Sequence, residues 1–103
     1  MLCEKGIDFE LIEVDLSNKP DWFVDVSPYT KVPAVVHGDD NVWESAIVNE
    51  YIDEVFPEPA MIPNNPGRRA LARSWVDYST SRFVSAFGAV LRETDLSVRP
   101  EKV

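Results

Sequence analysis

Lys31-Val32-Pro33-Ala34-Val35-Val36-His37-Gly38, followed by a short polar turn and Trp43-Glu44-Ser45, decides how the chain is read. A proline cannot donate to a strand ladder, so Pro33 must open a strand, lie on an edge or sit at a special peptide bond. Val32 then becomes a backbone edge open to a ligand. At Glu44-Ser45 the strand-like segment gives way to a helical pattern, so a new helix starts with free N–H groups beside a carboxylate. An amino-acid head group, carrying both charges, fits such a place.

Upstream, Met1 to Gly6 reads as the last turn of a helix stopped by a glycine C-cap. From Ile7 to Leu16 apolar and polar residues alternate, with a parity change at Leu11-Ile12 that predicts a bulged strand or one covered on both faces. Ser17 or Asn18 is expected to cap a short helix with Pro20 in its first turn and Trp22, Phe23 and Val26 on its apolar side, until Ser27-Pro28 stops it. Downstream, the turn formers Gly38-Asp39-Asp40-Asn41 join the central strand to Val42-Trp43 as a hairpin. Ser45 then opens a helix to Phe56 with Ile47, Val48, Tyr51, Ile52, Val55 and Phe56 at helical spacing, and Pro57 ends it. The stretch from Pro57 to Gly67, rich in proline and asparagine, has the composition of a linker. A further helix is expected from about Arg68 to Leu91, with apolar residues on two sides that imply burial between neighbours.

Composition narrows the function. The 103 residues allow one domain at most, and 45% hydrophobic residues mark it as globular. A formal net charge of -8 repels phosphate backbones and anionic lipid, which argues against nucleic-acid and membrane-surface partners. The sequence holds neither a long apolar run nor a basic, apolar leader, so a soluble, cytoplasmic protein is expected. The single cysteine, Cys3, closes no internal disulfide and supplies no zinc spacing, so no metal site is expected.

The run Glu4-Lys5-Gly6-Ile7, the Val32-Pro33 pair, Glu44-Ser45-Ala46-Ile47 and Glu50-Tyr51-Ile52-Asp53-Glu54 together resemble the N-terminal, thioredoxin-like domain of soluble glutathione transferases. The proline-rich linker and Arg68-Arg69-Ala70 resemble that family's approach to its all-helical second domain. The resemblance implies an α/β (α+β) fold, with residues 1–58 a partial glutathione-binding domain, 59–67 a linker, and 68–103 the first helix of an all-helical domain and a tail. It implies glutathione as co-substrate, with small electrophiles and a homodimeric state in the complete protein. Pro33 becomes the cis proline of the family, although alone it reads as trans, since only ~5% of X–Pro bonds are cis.

Carried over residue by residue, Val32 resembles the position whose N–H and C=O pair with the cysteinyl part of glutathione. Glu44 resembles the acid that holds the γ-glutamyl ammonium, and Ser45 the residue whose hydroxyl and N–H hold its carboxylate at the positive end of a helix. Lys31 is a weaker candidate for the glycine carboxylate. Taken alone, Glu44-Ser45 is a helix cap beside a solvated acid, His37 is an edge residue, and Trp22, Trp43 and Trp75 are core residues.

The family's catalytic Tyr, Ser or Cys lies just after its first strand, a segment that the resemblance sets before Met1. No residue here inherits that role, and Cys3 matches a position late in the first helix. An enzyme is therefore one of three readings, beside a non-catalytic glutathione-binding or protein-interaction module and an inactive fragment. The family's first strand also lies between the strand that matches Phe9 to Val14 and the strand around Val35. Without it, unpaired buried backbone groups at about 1 to 3 kcal/mol each would leave this chain poorly folded by itself.

Overall fold

A computed structural model of the chain describes residues 1–93. It divides into two compact units, Met1–Ile62 and Pro63–Val103, the second described as far as Glu93. The first unit is mixed helix and strand. Its elements are α1 (Phe23–Val26), β1 (Ala34–His37), β2 (Asp40–Trp43) and α2 (Ser45–Val55).

Local chemistry explains the order. Gly6 sits at φ 66°, a conformation that side chains disfavour. It lets the Gly6 N–H donate to Cys3 C=O and the Ile7 N–H donate to Leu2 C=O, the two bonds of a Schellman close, each 3.1 Å. The chain leaves that turn without regular structure, and Ile7–Leu16 joins no ladder, contrary to the strand expected there. Among the described residues the sheet has two strands, β1 and β2, and none lies beside this segment. Its apolar side chains stay open: Leu11 is 76% exposed and Ile12 59%.

At the end of that segment Asp15 takes the place of a helix cap. Its Oδ1 accepts from the Ser17 N–H at 3.0 Å and the Ser17 hydroxyl at 2.6 Å, and its C=O accepts from the Asn18 N–H at 3.1 Å. Ser17 and Asn18 are thus spent in an aspartate turn. The helix α1 starts only after Trp22, and Pro20 precedes it rather than lying in its first turn.

The hairpin is tighter than its four turn formers implied. Ala34 faces Trp43 and His37 faces Asp40, so the turn is the pair Gly38-Asp39, with Gly38 at φ 60°. A positive φ at the first of two turn residues, followed by a non-positive one, is the pattern of a II′ turn, whose twist matches the strands. Asp40 and Asn41 pair as strand residues instead.

The core is small: Phe23, Val48 and Ile52 are its buried apolar side chains. Burial of each contributes about 1.5 to 3 kcal/mol. Val48 and Ile52 lie one turn apart on α2, while Ile47 and Val55 of the same helix are exposed. Trp22, expected in the core, is 45% exposed and meets Phe23 edge-on with ring centroids 6.0 Å apart.

In the second unit the helical run comprises α3 (Pro66–Tyr78), a π-helical segment (Ser79–Val84) and α4 (Ser85–Arg92). It starts earlier than expected because Asn65 caps it: its Oδ1 accepts from the Arg68 N–H at 3.1 Å, with Pro66 in the first turn. The π-helical segment was not expected. There Ser81 donates to Asp77 C=O at 2.7 Å and Ser85 to Thr80 C=O at 3.4 Å, so hydroxyls compete for helix carbonyls. Trp75, also expected in the core, is 65% exposed and stacks edge-on with Tyr78. The tail expected after this helix lies outside the described residues.

Candidate functional site

Two chain segments leave the open end of the β1–β2 hairpin together. Because Ala34 faces Trp43, continuing the register sets Pro33 at the level of Glu44 and Val32 at that of Ser45. The hairpin's antiparallel pairing therefore starts both Lys31-Val32-Pro33 and Glu44-Ser45 from the same end of the sheet.

Val32 is 51% exposed, and the peptide bond to Pro33 is cis. Among the described residues, no hydrogen bond engages the Val32 N–H or C=O. Glu44 is the N-cap of α2 and holds φ 69°, ψ 122°, a conformation that only glycine adopts freely. Such a backbone costs on the order of 1 to 3 kcal/mol and collects at functional positions. The Glu44 side chain makes no capping bond and is exposed, as is Ser45 beside it. The first intrahelical bond of α2 is Val48 N–H to Glu44 C=O at 2.8 Å, which leaves the preceding N–H groups free for an anion. The arrangement can thus present an acid to a cation, a helix start to an anion, and an open peptide edge to an extended backbone. Lys31 extends into solvent next to Val32, a cation at the same end.

Three features of this unit escaped the reading of the sequence. The first is a buried charge cluster remote from the hairpin end. The Lys5 ammonium, with a side chain 0% exposed, pairs with Asp53 at 2.8 Å and donates to Phe56 C=O and Pro59 C=O, each at 2.6 Å. Asp53 in turn accepts from the Met61 and Ile62 N–H groups at 2.9 and 3.2 Å. The Lys5 bond, helped by that of Met61, holds the Asp53 carboxyl below the usual carboxylate range.

The second is the buried Ser27, whose hydroxyl binds the Lys31 backbone. The third gives His37 more than an edge role: its Nδ1 lies 2.7 Å from the Tyr51 hydroxyl, which also donates to Asp40 at 3.3 Å. Desolvation pushes the Tyr51 phenol up, and the Asp40 charge adds to the shift. These contacts tie the turn end of the hairpin to α2, away from Glu44. Only Ser27-Pro28 carried any local sign, as a helix stop, because partners distant in sequence leave no periodic trace.

Cys3 is an exposed free thiol on the first turn. Among the described residues no group of three or more His, Cys, Asp or Glu is gathered as for a metal ion. None of their helices is long and apolar enough to cross a membrane.

A family model described as "Glutathione S-transferase, N-terminal domain" matches residues 1–55. A "Probable glutathione transferase" of Aplysia californica is 40% identical over 80 residues, 78% of this chain and 87% of that one. A "Probable glutathione S-transferase" of Solanum tuberosum is 41% identical over 75 residues, 72% of this chain but 35% of its own length. Among solved structures, a rice glutathione transferase in complex with glutathione superposes with a TM-score of 0.80 at 32% identity, covering 89% of this chain and 45% of that one. The chain thus spans less than half the length of the potato and rice proteins.

Proposed function

Since the chain belongs to the glutathione S-transferase family, we propose that its first unit binds glutathione at the open end of the hairpin and that the complete protein transfers it to small electrophiles. In this reading Glu44 receives the γ-glutamyl ammonium, and the Ser45 hydroxyl with the first N–H groups of α2 receives the γ-glutamyl carboxylate. Val32 pairs with the cysteinyl backbone as an added strand would, beside the cis Pro33. Lys31 attracts the glycine carboxylate. Residues 1–58 act as the glutathione-binding domain, 59–67 as the linker and 68–103 as the start of the helical domain. No residue of this chain is assigned to the thiolate. A homodimeric state, a cytoplasmic setting and a role in detoxification belong to the same reading of the complete protein.

The observation that carries it is the backbone of Glu44, kept at φ 69° at the helix start although its side chain gives nothing back to the fold. Strain maintained at one exposed acid is accounted for if that acid is needed for a ligand. Titration of the chain with glutathione tests it. Glu44→Gln and Ser45→Ala are each expected to weaken binding by about tenfold or more, the worth of a hydrogen bond to a charged group. Measurable binding left unchanged by both substitutions would remove the assignment.

A further inference from the structure

We infer that Ser27 is a positioning residue for glutathione, acting through the peptide that joins Lys31 to Val32; this rests on the function proposed above. Ser27 is 1% exposed, and all its polar groups are engaged. Its N–H donates to Phe23 C=O at 2.8 Å, and its C=O accepts from the Thr30 N–H at 2.7 Å. The hydroxyl donates to Lys31 C=O at 2.7 Å and accepts from the Lys31 N–H at 3.2 Å.

The Ser27–Thr30 bond closes a turn with Pro28 at its second position, and Thr30 is held at φ 52°. Lys19 reaches the Thr30 hydroxyl at 3.1 Å from outside the turn. This turn delivers Lys31 back to the side chain of Ser27.

The consequence follows from peptide planarity. Lys31 C=O and Val32 N–H belong to one rigid unit and point in opposite directions. By drawing the carbonyl toward a buried hydroxyl, Ser27 turns the Val32 N–H away from the fold. That N–H is the donor assigned to the cysteinyl carbonyl. Ser27 touches no substrate atom in this account; it fixes the direction of a donor that does.

Two ligands separate positioning from general stability. γ-Glutamylcysteinamide offers Val32 both an N–H and a cysteinyl C=O without the glycine carboxylate assigned to Lys31, whereas γ-glutamylmethylamide keeps the γ-glutamyl head and the first amide N–H but lacks that carbonyl. The affinity ratio between them reports the Val32 N–H contact. In the 103-residue chain Ser27→Ala is expected to lower the ratio about tenfold, one hydrogen bond's worth. Ser27→Thr, which retains the hydroxyl, is expected to keep it within about threefold of the unsubstituted chain. A ratio unmoved by Ser27→Ala, or an equal loss for both ligands as damage to the fold would give, overturns the role of Ser27. Absence of glutathione binding by the unsubstituted chain, or binding indifferent to Glu44→Gln, overturns the function itself instead.

Discussion

Lys5 and Leu11 stand six positions apart and have exchanged the places that their chemistry would assign: the lysine side chain is 0% exposed and the leucine residue 76%. The lysine is buried because its partners are supplied by the chain itself, one carboxylate and two carbonyls at 2.6 to 2.8 Å. The leucine lies on a segment outside the sheet that has no neighbouring strand among the described residues. Burial in this unit is therefore decided by whether a matching partner is within reach, more than by the hydropathy of the residue.

The largest effect should come from breaking the polar side of that comparison. Asp53→Ala strands the Lys5 ammonium in the interior and leaves the Met61 and Ile62 N–H groups without their acceptor. A loss of about 3 to 5 kcal/mol in urea unfolding is expected. Lys5→Met with Asp53→Leu removes the stranded charge but still leaves the Met61 and Ile62 N–H groups and the Phe56 and Pro59 carbonyls without these partners, so it should cost less than the single variant without approaching zero. Equal losses for the single and the double variant would show that the charges contribute little.

The same pair gives the unit a pH dependence. Asp53 titrates below its ordinary value, so its contribution is complete above about pH 4 and fades as pH falls through the lowered value. The stability difference between the unsubstituted chain and Asp53→Asn should therefore shrink on acidification below pH 4. A difference independent of pH down to 2 would contradict the ion pair. The smallest effect belongs to the apolar side: Leu11→Ser should change stability by no more than about 0.5 kcal/mol, since so little of the side chain is covered. A loss of several kcal/mol there would show that the segment is packed after all.

The sequence was legible where structure is local. Gly6 closing a turn, Ser45 opening a helix and Pro57 following its end are set by φ preferences and missing donors, which residue type reports directly. The hairpin was legible in place and not in length, because Asp40 and Asn41 are turn formers that the register of Ala34 with Trp43 recruits into a strand. The segment Ile7–Leu16 carries the alternation of a strand, yet alternation states only which faces differ. A ladder needs a second chain segment. The candidate site was legible in its residue types, Val32, Glu44 and Ser45, and through the family's spacing. What no residue type could report was the backbone of Glu44 at φ 69°, or the hydroxyl of Ser27 beneath Lys31.

Glu44 joins both halves of the account, since it is the place where the fold bears a cost that the proposed ligand explains. Glu44→Gly removes the carboxylate and relieves the backbone together. One paired measurement, the thermal midpoint and the glutathione affinity of this variant against the unsubstituted chain, tests the claim most directly. The midpoint is expected to rise by the equivalent of about 1 kcal/mol and the affinity to weaken at least tenfold. An affinity unchanged by the substitution, whatever the midpoint does, would contradict the claim.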